Sequence, residues 1–394
     1  MNRGTLLGVF ARFILVAIVG PRGRRHPWRL RTAGGPACRE FFKPVRHLGL
    51  AAILCLFLIA SEPARSETVS IPDPALNSFV HSSLNIPLGN PISTDDMALL
   101  NVVDLDGVSN LQGLQYATNV QSLSIYCSSG LDLSPLAGLK GLSSIEIHAY
   151  TSQPTDLGPL SGLTGLTRLS FSSSQPLLDI KPIAGLTSLT SLSVSATQLA
   201  NSSSVRGLSA LSELSLSGTG VSNSDVSQIA NLSQLHTLTL SSSSATNIVP
   251  LCQLKGLQNL SLPSDRGLDL GQLQYFQQLQ SLGLQGQGLT NLDSLPVLLN
   301  LRTIDLRDNT LSHISTLASF PNLISLDLGN NSLGNADILS SLPQLKYVSL
   351  ENNALTDISA LSSLQHLIEL WLPNNLISDI SSLRGMNDLH FLDL

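Results

Sequence analysis

The chain has 394 residues and a formal net charge of −6, but the charge is unevenly spread. Eleven of the 21 Lys and Arg lie in residues 1–66, leaving 10 basic against 25 acidic residues, a net −15, in the remainder. So acidic a body excludes recognition of nucleic-acid phosphates, which needs clustered cations, and is repelled by anionic membrane surfaces.

Residues 1–42 contain a short apolar run broken by Arg12 and then an Arg- and Pro-rich stretch. They read as a leader extension or a mis-assigned start. Residues 43–66 follow the pattern of a secretory signal peptide, with Lys43 and Arg46, an apolar run from Leu48 to Ala60, and the small-x-small site Ala64-Arg65-Ser66. The run is short for a membrane span, so no stable membrane insertion of the mature chain is expected. The resulting localisation is secreted or cell surface.

Residues 67–99 read as a helical N-terminal cap. Asp73 stands where a helix would be capped, Pro74 at its first position, and Leu76, Phe79, Val80 and Leu84 share one face. Ser93 with Asp96 three residues later forms a second helix-start signal.

From residue 100 to 394 one phrase recurs. "LHTLTL" begins at Leu235, and "LQNLSL", "LQSLGL", "LRTIDL", "LISLDL", "LKYVSL", "LIELWL" and "LHFLDL" follow at 22-residue intervals up to Leu389. Upstream copies at Leu211, Leu189, Leu166, Leu142, Val120 and Leu100 keep the phrase with a looser period. Fixed-period self-similarity marks a solenoid. The first half of each unit alternates apolar and polar residues, as a strand with one buried face does. The second half spaces its apolar residues by three, which suits a 3₁₀-like turn. About 14 parallel strands are therefore expected, stacked roughly 4.8 Å apart, with the leucines buried only by neighbouring repeats. The last repeat reads as incomplete, its C-terminal cap missing and its sheet edge bare.

Asn309, Asn331, Asn353 and Asn375 fall in one register at the end of the strand phrase. A side-chain amide there can satisfy backbone groups of the turn. Thr197, Thr219, Ser243, Asp265 and Gln287 replace it upstream, and a looser N-terminal half is expected.

The 22-residue unit with its "[DN]-[IL]-x-x-L" element, as in Asp357-Ile358 to Leu361 and Asp379-Ile380 to Leu383, resembles the bacterial internalin-type leucine-rich repeat. The resemblance covers about residues 70–394. It implies an α/β solenoid, a right-handed curved arc whose parallel sheet lines a concave, partner-binding face, usually for protein.

On each strand the residues beside and between the buried pair face that surface. They are small in the middle repeats (Ser193, Ser215, Thr239). Toward the C-terminus they become Asp305, Arg307, Asp327, Tyr347, Glu351, Glu369, Trp371, Phe391 and Asp393, the candidate ligand-binding residues. Aromatics interleaved with carboxylates suit a protein partner with a basic, apolar-centred surface, a glycan being the weaker alternative. Mutual packing of Trp371 and Phe391 is the competing reading. Asp305 and Asp327 fall side by side and read as solvated, with a cation or a partner's arginine between them as the alternative.

No catalytic residue, metal site or cofactor is expected. No nucleophile–base pair or phosphate-cradling loop occurs, and the histidines His148, His236, His313, His366 and His390 all sit in different repeats. Cys127 and Cys252 are five repeats apart, too far to bridge. The alternatives to a binding module are the targeting half of an enzyme whose catalytic domain lies beyond residue 394, and an intracellular scaffold resembling phosphatase-regulating repeat proteins.

Overall fold

The computed structural model describes residues 66–394 apart from 129, 151–154, 175–178 and 263–266. The leader, nearly all of the signal-peptide segment and Asp265 lie outside the described residues.

Fourteen parallel strands form one sheet in strict chain order, each bonded to the next. They run from β1 (Val102–Asp106) through β2 (Ser122–Cys127), β3 (Ser144–Ala149), β4 (Arg168–Ser173), β5 (Ser191–Gln198), β6 (Glu213–Thr219) and β7 (Thr237–Ser241). Seven three-residue strands follow: β8 (Asn259–Ser261), β9 (Ser281–Gly283), β10 (Thr303–Asp305), β11 (Ser325–Asp327), β12 (Tyr347–Ser349), β13 (Glu369–Trp371) and β14 (Phe391–Asp393). Register is kept leucine to leucine, so Ile304 pairs with Leu326, Leu326 with Val348 and Val348 with Leu370. One repeat shows how the period makes the core. Leu323, Leu326, Leu328, Leu333, Ala336, Leu339 and Leu342 are all at most 1% exposed, supplied by a strand, a turn and the 3₁₀ segment Asp337–Ser341. Each buried aliphatic contributes about 1.5–3 kcal/mol, but only once its neighbours are stacked.

The N-terminal half is not looser in its pairing. Its strands are five to eight residues long, against three in β8–β14. After β10–β13, Asp308, Asn330, Asn352 and Asn374 adopt left-handed backbone (φ 53–59°) immediately before the four register asparagines. Left-handed backbone alone does not shorten the strand, since Ser242 (φ 56°) follows the five-residue β7.

Two features depart from the simple repeat. The unit starting at Leu211 has two extra residues and carries a full α-helix, α3 (Asn223–Ile229). The Asp225 carboxylate accepts from the Ser222 N–H (2.9 Å) and hydroxyl (2.7 Å), which starts the helix. Cys127 is buried and Cys252 half-buried, both as free thiols, and burial pushes the Cys127 thiol up.

At the N-terminal end, α1 (Pro74–Ser83) and α2 (Thr94–Met97) bury Leu76, Val80 and Met97. Ser93 and Asp96 form a reciprocal capping box. Asp73 does more than cap α1. One carboxylate oxygen accepts from the Ala75 and Leu76 N–H groups (2.9 and 3.0 Å). The other accepts from the Ser109 N–H and hydroxyl (both 2.8 Å) and the Asn110 N–H (3.1 Å), tying the cap to the first repeat. Burial alone would raise the Asp73 pKa, but these hydrogen bonds outweigh it and hold the carboxyl below its usual range. A carboxylate with a depressed folded-state pKa stabilises above its unfolded value near ~3.9 and loses that effect as the pH falls through the folded value. Asp73→Asn is therefore expected to cost about 2–3 kcal/mol at neutral pH. In urea titrations the gap from the parent chain should narrow as the pH falls below about 4; a gap constant with pH would contradict this.

Candidate functional site

The face of the sheet opposite the leucines carries three rows of side chains, one residue per strand in each. Asp305 and Asp327 are register partners in the middle row. They are neither simply solvated nor open to an outside cation, because Arg307 of the same chain lies across them. Its guanidinium meets Asp305 Oδ2 at 2.8 Å and Asp327 Oδ2 at 3.1 Å. A further bond joins the Arg307 N–H to Asp305 Oδ1 at 3.0 Å. Sequence reasoning missed this because it placed Arg307 and the two aspartates as parallel contacts, not as partners. The hydrogen bond to Asp305 raises the guanidinium's pKa further. Burial, with Asp305 beside it, pushes the Asp327 carboxyl up against the opposing pull of the Gly329 N–H and Arg307.

Strands β12–β14 hold the aromatic part. Tyr347, Glu369 and Phe391 occupy one row, and Ser349, Trp371 and Asp393 the next. The Trp371 and Phe391 rings lie 5.2 Å apart at 43°, a tilted pair. Phe391 is 46% exposed, Tyr347 37%, and Trp371 is half-buried, so the pair covers part of its own surface while leaving ring area open. Glu351, on the strand-face side of its repeat, lies over Gly329, where a Cβ would stand 3.0 Å from its Cγ. All nine candidate residues therefore sit on one face across five adjacent strands, with Arg307 largely committed to its own aspartates.

A second cluster lies at the other end of the same face. Asp106, Tyr126, His148 and Ser172 share one row on β1–β4. The Tyr126 and His148 rings stack at 4.5 Å and 12°, and Tyr150 continues the stack 6.5 Å beyond at 15°. His148 is held upright by Ser172 (Nδ1, 2.7 Å) and Glu146 (Nε2, 2.8 Å). The signal was present in the sequence: Asp106, Tyr126 and His148 occupy equivalent positions after the second buried strand residue. It was overlooked because these repeats match the consensus weakly.

Among the described residues there is no group of three or more His, Cys, Asp and Glu placed to hold a metal. No helix there is long and apolar enough to cross a membrane.

The fold and its repeat define a class: the chain is a leucine-rich repeat protein. A family model described as "Leucine Rich repeats (2 copies)" matches residues 321–363, the stretch in which the asparagine register is most regular. No curated protein matches the chain. Among solved structures, an internalin (InlF) of Listeria monocytogenes is 26% identical, with a TM-score of 0.62 over 82% of this chain and 96% of that one. The repeat arrangement is similar to that of this internalin. The ectodomain of the plant receptor kinase GASSHO1/SCHENGEN3 of Arabidopsis thaliana, solved in complex with CASPARIAN STRIP INTEGRITY FACTOR 2, is 21% identical with a TM-score of 0.51, over 74% of this chain and 40% of that one; it shares the fold.

Proposed function

We propose that this chain is a secreted or surface-displayed, non-catalytic binding protein that engages a protein partner through the strand face of its C-terminal repeats. The observation that carries this reading is the open Trp371–Phe391 pair beside Tyr347, bordered by Glu351, Glu369 and Asp393. Rigid aromatic area with a charged rim is the composition of interface hot spots, and the net negative border favours a basic partner surface with an apolar centre. A solenoid built only for packing has no need to place its one tryptophan beyond the leader on the solvent side of the sheet.

The test is a selection from a displayed library of protein domains panned on the immobilised full chain. Trp371→Ala is expected to weaken most selected binders by about tenfold or more, as loss of a hot-spot aromatic does, while Gln365→Ala on the opposite side leaves them unchanged. Binders indifferent to Trp371, Tyr347 and Phe391 would remove the reading. The export half is tested separately. A reporter fused behind residues 43–70 is expected in the medium with Glu67 as its first residue, and retention in the cell would sink it.

A further inference from the structure

We infer that the strand face over β1–β3 is a second binding site, made for an arginine side chain on an extended segment of a partner protein. The inference rests on reading the strand face as a protein-binding surface, but not on the C-terminal patch.

Stacking on His148 occupies one face of the Tyr126 ring. Because β2 lies between β1 and β3, the other face looks along the sheet toward β1. Its register partner there is Asp106, and Asp104 stands two residues earlier on the same side, both exposed. Neither carboxylate takes a hydrogen bond or ion pair from the described residues. The site thus offers a flat π-face above two free carboxylates. A planar guanidinium fits both at once, stacking on the ring while its fork of N–H donors reaches the carboxylates. An ammonium can meet only one demand at a time.

The chain contains an internal example of half of this recognition. On β10 and β11 its own Arg307 bridges two strand-face aspartates, whereas at the N-terminal end the aspartates have no such partner. Arg168, the only Lys or Arg among the described residues of β1–β4, lies two strands from Tyr126. The ring platform is also pre-set: Ser172 and Glu146 fix His148, and His148 fixes Tyr126, so little side-chain freedom is lost on binding. From β3 to β13 is ten strand spacings, roughly 48 Å. One small domain cannot cover both patches, and the two sites act separately.

The probe is a fluorescein-labelled ten-residue peptide of alternating arginine and serine, titrated into the full chain at low salt with anisotropy as the readout. Tyr126→Ala and the pair Asp104→Asn with Asp106→Asn are each expected to weaken binding by about tenfold. Tyr126→Phe, which keeps the ring, should bind as the parent chain does and so separates loss of the site from loss of the fold. Asp95→Asn, which removes a charge elsewhere, should leave affinity unchanged. Citrulline in place of arginine should abolish binding, and lysine should weaken it severalfold. If affinity follows Trp371 and not Tyr126, this site is overturned while the C-terminal reading stands. Equal weakening by Asp95→Asn, equal binding of the lysine peptide, or no binding at all overturns it too.

Discussion

Gly220→Ala is expected to cost about 3 kcal/mol or more and to split the unfolding of the chain into two transitions. The strand β5 bulges between Ser195 and Gln198 where it pairs with β6. Across that bulge the next turn approaches closely: a Cβ on Gly220 would press into the carbonyl oxygen of Leu199, and one on Gly218 into that of Ala196. Both glycines also have positive φ, 113° and 144°, which side chains rarely adopt. The obstacles are backbone atoms, so no rotamer change relieves them, and the β5–β6 contact must open. In a solenoid each repeat is held only by its neighbours. A weakened interface in the middle lets the two sides melt at different urea concentrations, where the parent chain melts more cooperatively. Gly185→Ala is the control, since a Cβ there meets nothing within 4 Å; it should move the midpoint by no more than about 0.5 kcal/mol. A single transition at the parent midpoint for Gly220→Ala would refute the close approach.

The same glycines show where the sequence is silent. The repeat phrase dictates fourteen strands, their order, and which leucines are buried, because a period of two in one half and three in the other leaves one way to bury them all. The Asp73 cap and the Ser93–Asp96 box are equally legible, being local spacings with one geometric outcome. The bulge in β5 is not, since "LSGTGVS" reads as an ordinary Gly-containing turn until the neighbouring carbonyls are placed beside it. The two inserted residues do not announce α3 either, although Ser222 and Asp225 repeat the helix-start spacing of Ser93 and Asp96. At the candidate sites, the rows in which Tyr347, Trp371 and Phe391 stand follow from register alone. Which side chains bond one another does not. Arg307 could have pointed outward to a ligand; it lies across Asp305 and Asp327 because two neighbouring, half-buried carboxylates make that the favourable place for a guanidinium.

The asparagine register leads to the second large effect, and its form is more informative than its size. The side-chain amide of Asn353 donates to Leu350 O of its own repeat (3.1 Å) and Leu328 O of the preceding one (3.0 Å). Its oxygen accepts from the Leu333 N–H of that preceding repeat (3.0 Å). Asn331 donates to Leu328 O as well (3.0 Å), and to Leu306 O (3.0 Å). Each such carbonyl thus receives two amides, one from its own repeat and one from the next. Asn353→Ala orphans the Leu333 N–H but leaves Leu328 O and Leu350 O one donor each, so about 3 kcal/mol of destabilisation is expected. The double change Asn331→Ala with Asn353→Ala strips Leu328 O of both donors. Its cost should exceed the sum of the single changes by about 1 kcal/mol, because the last donor to a buried carbonyl matters more than the first. Asn309 and Asn353 share no acceptor, and their double change should be additive. Asn353→Asp adds a sign. A carboxylate set against carbonyl oxygens has its pKa raised, so the folded state is favoured by protonation and loses stability as pH rises through that value. The aspartate chain should therefore be closer to the parent near pH 4 than at pH 7. Additive costs for both pairs in urea titrations would mean that each asparagine serves its own turn alone, and that the repeats are joined by leucine packing without help from the ladder.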